Sequence, residues 1–354
     1  QKQEAGLPVV YVRHLQTGHE HTIDFPGEVF DVGIIPLYEF DTATLRLGYS
    51  SFNTPQRIYD YHMGNRELLL RKEREIPSGH NPNDYVVKRL MAPAPDGEEI
   101  PISLIHHKDM PPSPKRPLQL YGYGAYGMSM SPSFSSVRLS LVDRGITYAM
   151  THIRGGQEKG YRWYREGRES KKKNTFSDFL ACADYLIAQK MTGTGRIVCS
   201  GGSAGGMLIG NVINQRPELF GVAVLHVPFV DVLNTMCDAA LPLTPMEWPE
   251  WGNPIEDQAA YDYIESYSPY DNLSAQAYPI IWSTAGLSDP RVTYWEPLKW
   301  IQRLRTLNTS QQPTALLTEM EAGHSGTTGR FKALEECARD DAFVLMALKN
   351  LELL

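Results

Sequence analysis

Cysteine is scarce. The 354 residues carry four, Cys182, Cys199, Cys237 and Cys337, with no C-x-x-C pair and no zinc-ligand spacing. That pattern argues against a disulfide framework or a structural metal site and favours free thiols, buried at Cys182 and Cys199, in a reducing compartment. Long apolar runs are missing as well. No stretch reaches the roughly 18 residues that a membrane span needs, so no membrane partner is expected. Positive charge is thin: 34 Lys and Arg against 41 Asp and Glu leave a net charge of −7, which argues against a general nucleic-acid binder. The one sharp basic run, Lys171-Lys172-Lys173, reads as a solvated loop ahead of a helix, and a lone Arg154-Gly155-Gly156 is no RNA-binding tract. No secretory leader and no initiating Met are found; Gln1 opens in mid-pattern, as a fragment or processed chain would. The expected location is the cytoplasm, with the periplasm as the alternative.

What is present is a soluble, globular composition, 42% hydrophobic and 21% charged, enough for one large domain and a smaller one. The most informative stretch runs Arg196-Ile197-Val198-Cys199-Ser200-Gly201-Gly202-Ser203-Ala204-Gly205-Gly206. It reads as a short strand, a G-x-S-x-G turn and a helix beginning near Met207. A serine hydroxyl becomes a useful nucleophile only when it is held clear of its own backbone and given a base. Glycines at Gly201 and Gly205 allow strand and helix to approach closely, and the turn aims the Ala204 N–H toward an oxyanion forming at Ser203. By itself the same string also fits a flexible glycine loop.

The first 75 residues read as short strands, at Val9 to Val12, Val29 to Val32, Thr44 to Phe52 and Arg57 to Tyr61, about one and a half four-stranded units. From Tyr85 the pattern changes. Tyr85 to Leu90 and Ile100 to His106 flank the turn Pro95-Asp96-Gly97, and strands then alternate with helices. Strands are expected at Leu118 to Tyr121, Ile146 to Ile153, Ile197 to Ser200, Val222 to Val227, Ile280 to Ser283 and Ala315 to Glu319. Helices are expected over Thr175 to Gln189, capped by Asn174, and over 204–214, 295–307 and 327–350. Such alternation predicts an α/β fold with a mostly parallel sheet covered on both faces.

In such sheets the reacting groups stand on turns after the carboxyl ends of strands. His324 follows the strand ending at Glu319, and Asp289 follows the strand ending at Ser283. The chain order is Ser203, Asp289, His324, the order of α/β-hydrolases. His324 would take the serine proton and return it to the leaving group; Asp289 would fix the imidazole tautomer. Asp231, after the strand ending at Val227, is the rival acid. No metal and no cofactor are expected.

These residues carry a family resemblance. Tyr121-Gly122-Tyr123-Gly124, Arg154 to Gly160, Gly201 to Gly206, Tyr267 to Asn272 and Asp289-Pro290-Arg291-Val292 together resemble the C-terminal half of the prolyl oligopeptidase family. The stretch Glu247 to Pro254 resembles the oligopeptidase B branch. The resemblance implies an α/β-hydrolase peptidase domain at 77–354, preceded at 1–76 by the last blade or so of a β-propeller. It implies an oxyanion hole from the Tyr123 hydroxyl and the Ala204 N–H, and substrate binding by Arg291 on a peptide carbonyl. Arg154 and Glu158 are expected to shape the loop beside the site. Short peptides cut after Arg or Lys are the implied substrates, with Glu247 and Glu250 facing the basic side chain. Here the chain departs from its relatives. The second acid of the branch's E-x-E pair falls on Pro249, and two aspartates for a second basic side chain fall on Ser131 and Ser133. A broader esterase or acylaminoacyl peptidase is the enzymatic alternative; an inactive fragment or interaction domain, lacking the rest of the propeller as partner, is the other.

Overall fold

The computed structural model describes residues 1–4 and 6–354. The N-terminal part holds two small hairpins, β1 (Lys2–Glu4) with β2 (Leu7–Val9) and β3 (Tyr11–Arg13) with β4 (Glu20–Thr22). A four-stranded antiparallel sheet follows: β5 (Asp31–Ile35), β6 (Thr44–Ser51), β7 (Thr54–His62) and β8 (Glu67–Glu73). The expected strand at Val9 to Val12 is broken at Val10, whose side chain is fully buried among Tyr49, Tyr59 and Tyr61. β8 escapes sequence reading because its seven residues carry little apolar alternation and are almost all exposed, the composition of an edge strand.

The larger sheet has eight strands in the order β16-β15-β14-β13-β11-β12-β10-β9. Its members are β9 (Tyr85–Pro93), β10 (Glu99–His107), β11 (Leu118–Tyr121), β12 (Thr147–Thr151), β13 (Ile197–Gly202), β14 (Phe220–His226), β15 (Ile280–Gly286) and β16 (Thr314–Glu319). β9 and β10 form the expected antiparallel hairpin, β10 pairs antiparallel with β12, and every other pairing is parallel. The strands at the centre are apolar runs because both faces are covered. β13, for example, buries Ile197, Val198 and Cys199 completely. The fold is that of an α/β-hydrolase.

Nine helices are found among the described residues: α1 (Ser136–Val142), α2 (Tyr161–Arg165), α3 (Lys173–Ala188), α4 (Ala204–Gln215), α5 (Val232–Met236), α6 (Thr244–Trp251), α7 (Gln258–Glu265), α8 (Trp295–Leu307) and α9 (Arg330–Asn350). The Asn174 cap is corrected. The chain enters α3 from a 3-10 turn at Glu169–Lys171, so Lys172 is already in helical geometry and no side chain caps the end. A capping residue needs extended backbone. Asn174 instead donates from Nδ2 to the Glu166 carbonyl at 2.8 Å.

The basic run is also corrected. Lys171 is exposed and pairs with Glu166 at 2.7 Å, and Lys173 is exposed beside Tyr263. Lys172 between them has no accessible surface at all. Cys182 and Cys199 are buried free thiols, whereas Cys237 is exposed.

The two sheets share a core. Val29 and Phe52 from the N-terminal part pack with Ile105 and Tyr148 of the larger sheet and with Val142 of α1. No helix is long and apolar enough to cross a membrane among the described residues.

Candidate active site

β13 lies between β11 and β14, and the chain turns at its carboxyl end directly into α4. Ser203 stands on that turn with φ +55° and ψ −121°, a conformation that side-chain-bearing residues rarely adopt. The strain is held from both sides. The Ser203 N–H donates to the His226 carbonyl at 2.8 Å, and its carbonyl accepts from Gly206 and Phe229 at 2.9 and 3.0 Å. The flanking glycines are there for close approach. A Cβ on Gly201 would stand 2.4 Å from the Gly205 carbonyl oxygen, and one on Gly205 would stand 2.8 Å from that of Gly122. Ala204 opens α4, so its N–H is among the first-turn donors with no acceptor inside the helix.

Asp289 follows β15 by three residues and is buried. Its Oδ1 accepts from the backbone N–H groups of Arg291 and Val292 at 2.8 and 3.0 Å, and its Oδ2 lies 2.7 Å from His324 Nδ1. An ionised carboxylate can only accept, so Nδ1 carries the imidazole proton and Nε2 keeps its lone pair. His324 sits in a tight turn after β16, bridged between Gly323 and Gly326. The rival Asp231 is engaged elsewhere: Lys299 Nζ lies 2.6 Å from its Oδ2, and Asn234 donates to its Oδ1 at 2.7 Å.

Ser203 and His324 open onto one cavity of about 570 Å³. Tyr123, Glu247 and Arg291 line it as well. Burial pushes the Tyr123 hydroxyl up to about 12, so it remains a proton donor across the neutral range. Arg291 is exposed and, among the described residues, has no carboxylate partner within ion-pair distance. Glu247 Oε2 accepts from the Tyr126 hydroxyl at 3.0 Å and from Trp251 Nε1 at 2.8 Å.

Four expected specificity positions fall outside the cavity. Glu250 is buried beneath Tyr126, where its Oε1 accepts from the Tyr126 N–H at 2.8 Å and its Oε2 from the Tyr164 hydroxyl at 2.5 Å. Both oxygens are therefore occupied by the protein. Ser131 and Ser133 line a different groove, against the four-stranded sheet, and Ser131 Oγ donates to Asp31 Oδ2 at 2.5 Å. Pro249 stands inside α6, where it cannot donate to the Pro245 carbonyl one turn earlier. Arg154 and Glu158 are buried beside the site. Arg154 pairs with Asp178, and Glu158 Oε1 accepts from the Met130 N–H at 2.9 Å.

Glu296 was missed by sequence reasoning. It lines the cavity, is fully buried, and accepts from Thr235 Oγ1 at 2.8 Å and the Asp231 N–H at 3.1 Å. Burial drives its carboxyl up to about 8. The signal was the helical period: Glu296 shares the buried face of α8 with Trp300, Ile301 and Leu304.

A model of the prolyl oligopeptidase family matches residues 132–351. The chain belongs to the prolyl oligopeptidase family. Among curated members of this family, dipeptidyl aminopeptidase BI of Pseudoxanthomonas mexicana is 46% identical over 89% of this chain and 44% of its own length. Protease 2 of Moraxella lacunata is 38% identical over 97% of this chain and 49% of its own. The solved oligopeptidase B from Leishmania major superposes with a TM-score of 0.91 at 43% identity, covering 98% of this chain and 50% of that one. The chain thus spans about half the length of the curated family members it matches.

Proposed function

We propose that this chain is the catalytic half of a serine oligopeptidase that hydrolyses short peptides through an acyl-enzyme. One observation carries the reading. The Asp289 carboxylate, fixed by two backbone N–H groups, holds His324 at 2.7 Å on the same cavity as a serine strained to φ +55°.

Ser203 Oγ attacks the scissile carbonyl carbon while His324 Nε2 takes its proton. The carbonyl oxygen, now an anion, accepts hydrogen bonds from the Ala204 N–H and the Tyr123 hydroxyl. Collapse breaks the C–N bond, and the imidazolium gives its proton to the leaving amine. A water molecule then repeats the sequence on the acyl-enzyme, with His324 as base, and releases Ser203. Asp289 stays ionised throughout and stabilises the imidazolium. Arg291 binds a peptide carbonyl of the substrate. The four-stranded sheet is read as the last blade of a propeller whose remainder is the natural partner of this chain, and the four unpaired cysteines support a reducing, cytoplasmic location.

Specificity follows from Glu247, which lines the cavity with its Oε2 held by Tyr126 and Trp251 and its Oε1 without a hydrogen-bond partner among the described residues. With Pro249 in place of a second acid, and with Ser131, Ser133 and Glu250 outside the cavity, selectivity for Arg or Lys rests on a single charge. It is therefore weaker than a paired-glutamate site would give, because a two-carboxylate clamp on guanidinium is stronger and more geometric than one contact.

Labelling with a fluorophosphonate probe tests the chemistry. Stoichiometric modification at Ser203, absent in Ser203→Ala, is expected. Equal labelling of the variant would overturn the assignment, and no labelling of either would favour the inactive-fragment reading. Comparing chromogenic peptides ending in Arg and in an apolar residue separates the oligopeptidase from a broad esterase or acylaminoacyl peptidase. Glu247→Gln is expected to lower cleavage after Arg selectively; unchanged selectivity would remove Glu247 from the pocket.

A further inference from the structure

A lysine without any accessible surface is costly, and Lys172 has no contact ion pair among the described residues to offset the cost. A core that needed only volume would be filled by Met or Leu. Its ammonium group is instead engaged by two carbonyls and an aromatic face. Nζ donates to the Gly124 carbonyl at 2.5 Å and to the Gly167 carbonyl at 3.2 Å, and it faces the Trp251 ring 5.0 Å from its centroid. Burial lowers the ammonium to about 8, with the charge of Glu250 acting in the opposite direction.

The targets connect two halves of the site. Gly124 is the residue after Tyr123, and Trp251 donates to Glu247 on the helix that carries the specificity carboxylate. The loop bearing Tyr123 is gripped by two buried charges of opposite sign, each on the backbone. Lys172 holds the Gly124 C=O, and two residues later Glu250 holds the Tyr126 N–H at 2.8 Å. Gly124 has no slack: its φ is +72°, and a Cβ there would meet Thr175 Cγ2 at 2.4 Å.

We infer that Lys172 is a positioning residue of the oxyanion loop, pinning the Gly124 carbonyl so that the Tyr123 hydroxyl is already aimed at the developing oxyanion. This rests on the reading of Tyr123 given under the proposed function. Lys172 touches no substrate and acts through Tyr123.

The test is a double-mutant cycle of Lys172→Met with Tyr123→Phe, read as kcat and KM on one peptide substrate. Lys172→Met is expected to lower kcat by about 10- to 100-fold with KM changed by less than about threefold, the size of a misplaced oxyanion donor. In the Tyr123→Phe background the same substitution should change kcat by less than about threefold, since the group it aims is gone. Equal losses in both backgrounds, or an unchanged kcat, would overturn the inference. Should circular dichroism show that Lys172→Met does not fold, Lys172→Arg enters the same cycle. It keeps the charge, displaces the Gly124 carbonyl by its greater length, and is expected to show the same non-additivity. A second readout needs no turnover: in protein carrying 3-fluorotyrosine, the 19F signal lost in Tyr123→Phe is expected to shift on substitution of Lys172. An unmoved signal would overturn the inference. Absence of Ser203 labelling in the unaltered protein would instead overturn the peptidase reading, and the 19F signal would still decide the part of Lys172.

Discussion

Arg154 and Asp178 form a two-pronged ion pair inside the protein, Nε to Oδ2 at 2.8 Å and Nη2 to Oδ1 at 2.5 Å, with both side chains almost wholly buried. The Arg154 N–H adds a third bond to Oδ2 at 3.0 Å. Burial alone pushes the Asp178 carboxyl upward, and the guanidinium works against that rise. Arg154→Met therefore leaves an uncompensated carboxylate and is expected to destabilise the protein by about 3–5 kcal/mol. Arg154→Met combined with Asp178→Asn, with no charge left to bury, is expected to recover part of the loss. Urea unfolding of the three variants checks both statements; a double variant no more stable than Arg154→Met would refute the second.

Asp289→Asn should inactivate by tautomer rather than by loss of shape. The Arg291 and Val292 N–H groups at Oδ1 will hold the amide oxygen of an asparagine, so its NH₂ must face His324 Nδ1. Nδ1 then accepts, the proton moves to Nε2, and the base for Ser203 disappears. A fall in kcat of about 10⁴ with little change in KM is expected, by analogy with the same substitution in a chymotrypsin-type triad. Steady-state kinetics at neutral pH measure it, and a drop of only a few-fold would argue against His324 as the base.

Glu296 predicts a pH dependence of stability. Its carboxyl titrates near 8 in the folded protein, above the ordinary glutamate value of about 4.3. Between those two values the folded state holds a proton that the unfolded chain has released. Stability from this group therefore falls as pH rises through that window. Glu296→Gln, which can still accept from the Asp231 N–H, removes the fall. Its melting temperature should decline less between about pH 5 and pH 8 than that of the unaltered protein. Parallel melting profiles would show that Glu296 is already ionised.

Much of the candidate site's layout was legible in one dimension. The apolar run Ile197 to Cys199 with its glycines, and the placement of Asp289 and His324 just beyond strands, depend on local pattern and chain order, which sequence displays directly. The parallel sheet followed from the same alternation. What escaped depends on contacts between distant segments. Lys172 is buried because carbonyls of Gly124 and Gly167 meet it, and nothing inside Lys171-Lys172-Lys173 announces that. Glu247 and Glu250 lie on one short helix, yet the loop at Tyr126 passes over one and leaves the other facing the cavity. The helices α5 to α7 are only five to eight residues long, too short for a period to stand out, and α6 carries Pro245 and Pro249. Their form comes from packing on the core.

The N-terminal sheet is not hung on a tether. Phe52 meets Tyr148 of β12 edge to face, Arg138 of α1 lies over both rings at 4.6 Å, and the Phe134 N–H donates to Ser50 Oγ at 3.0 Å. Together with Val29 and Ile105 these side chains make one shared interior between the N-terminal part and the larger sheet. Residues around Phe52 are thus a flange of the larger sheet, joined to it by packed side chains and not by the chain alone.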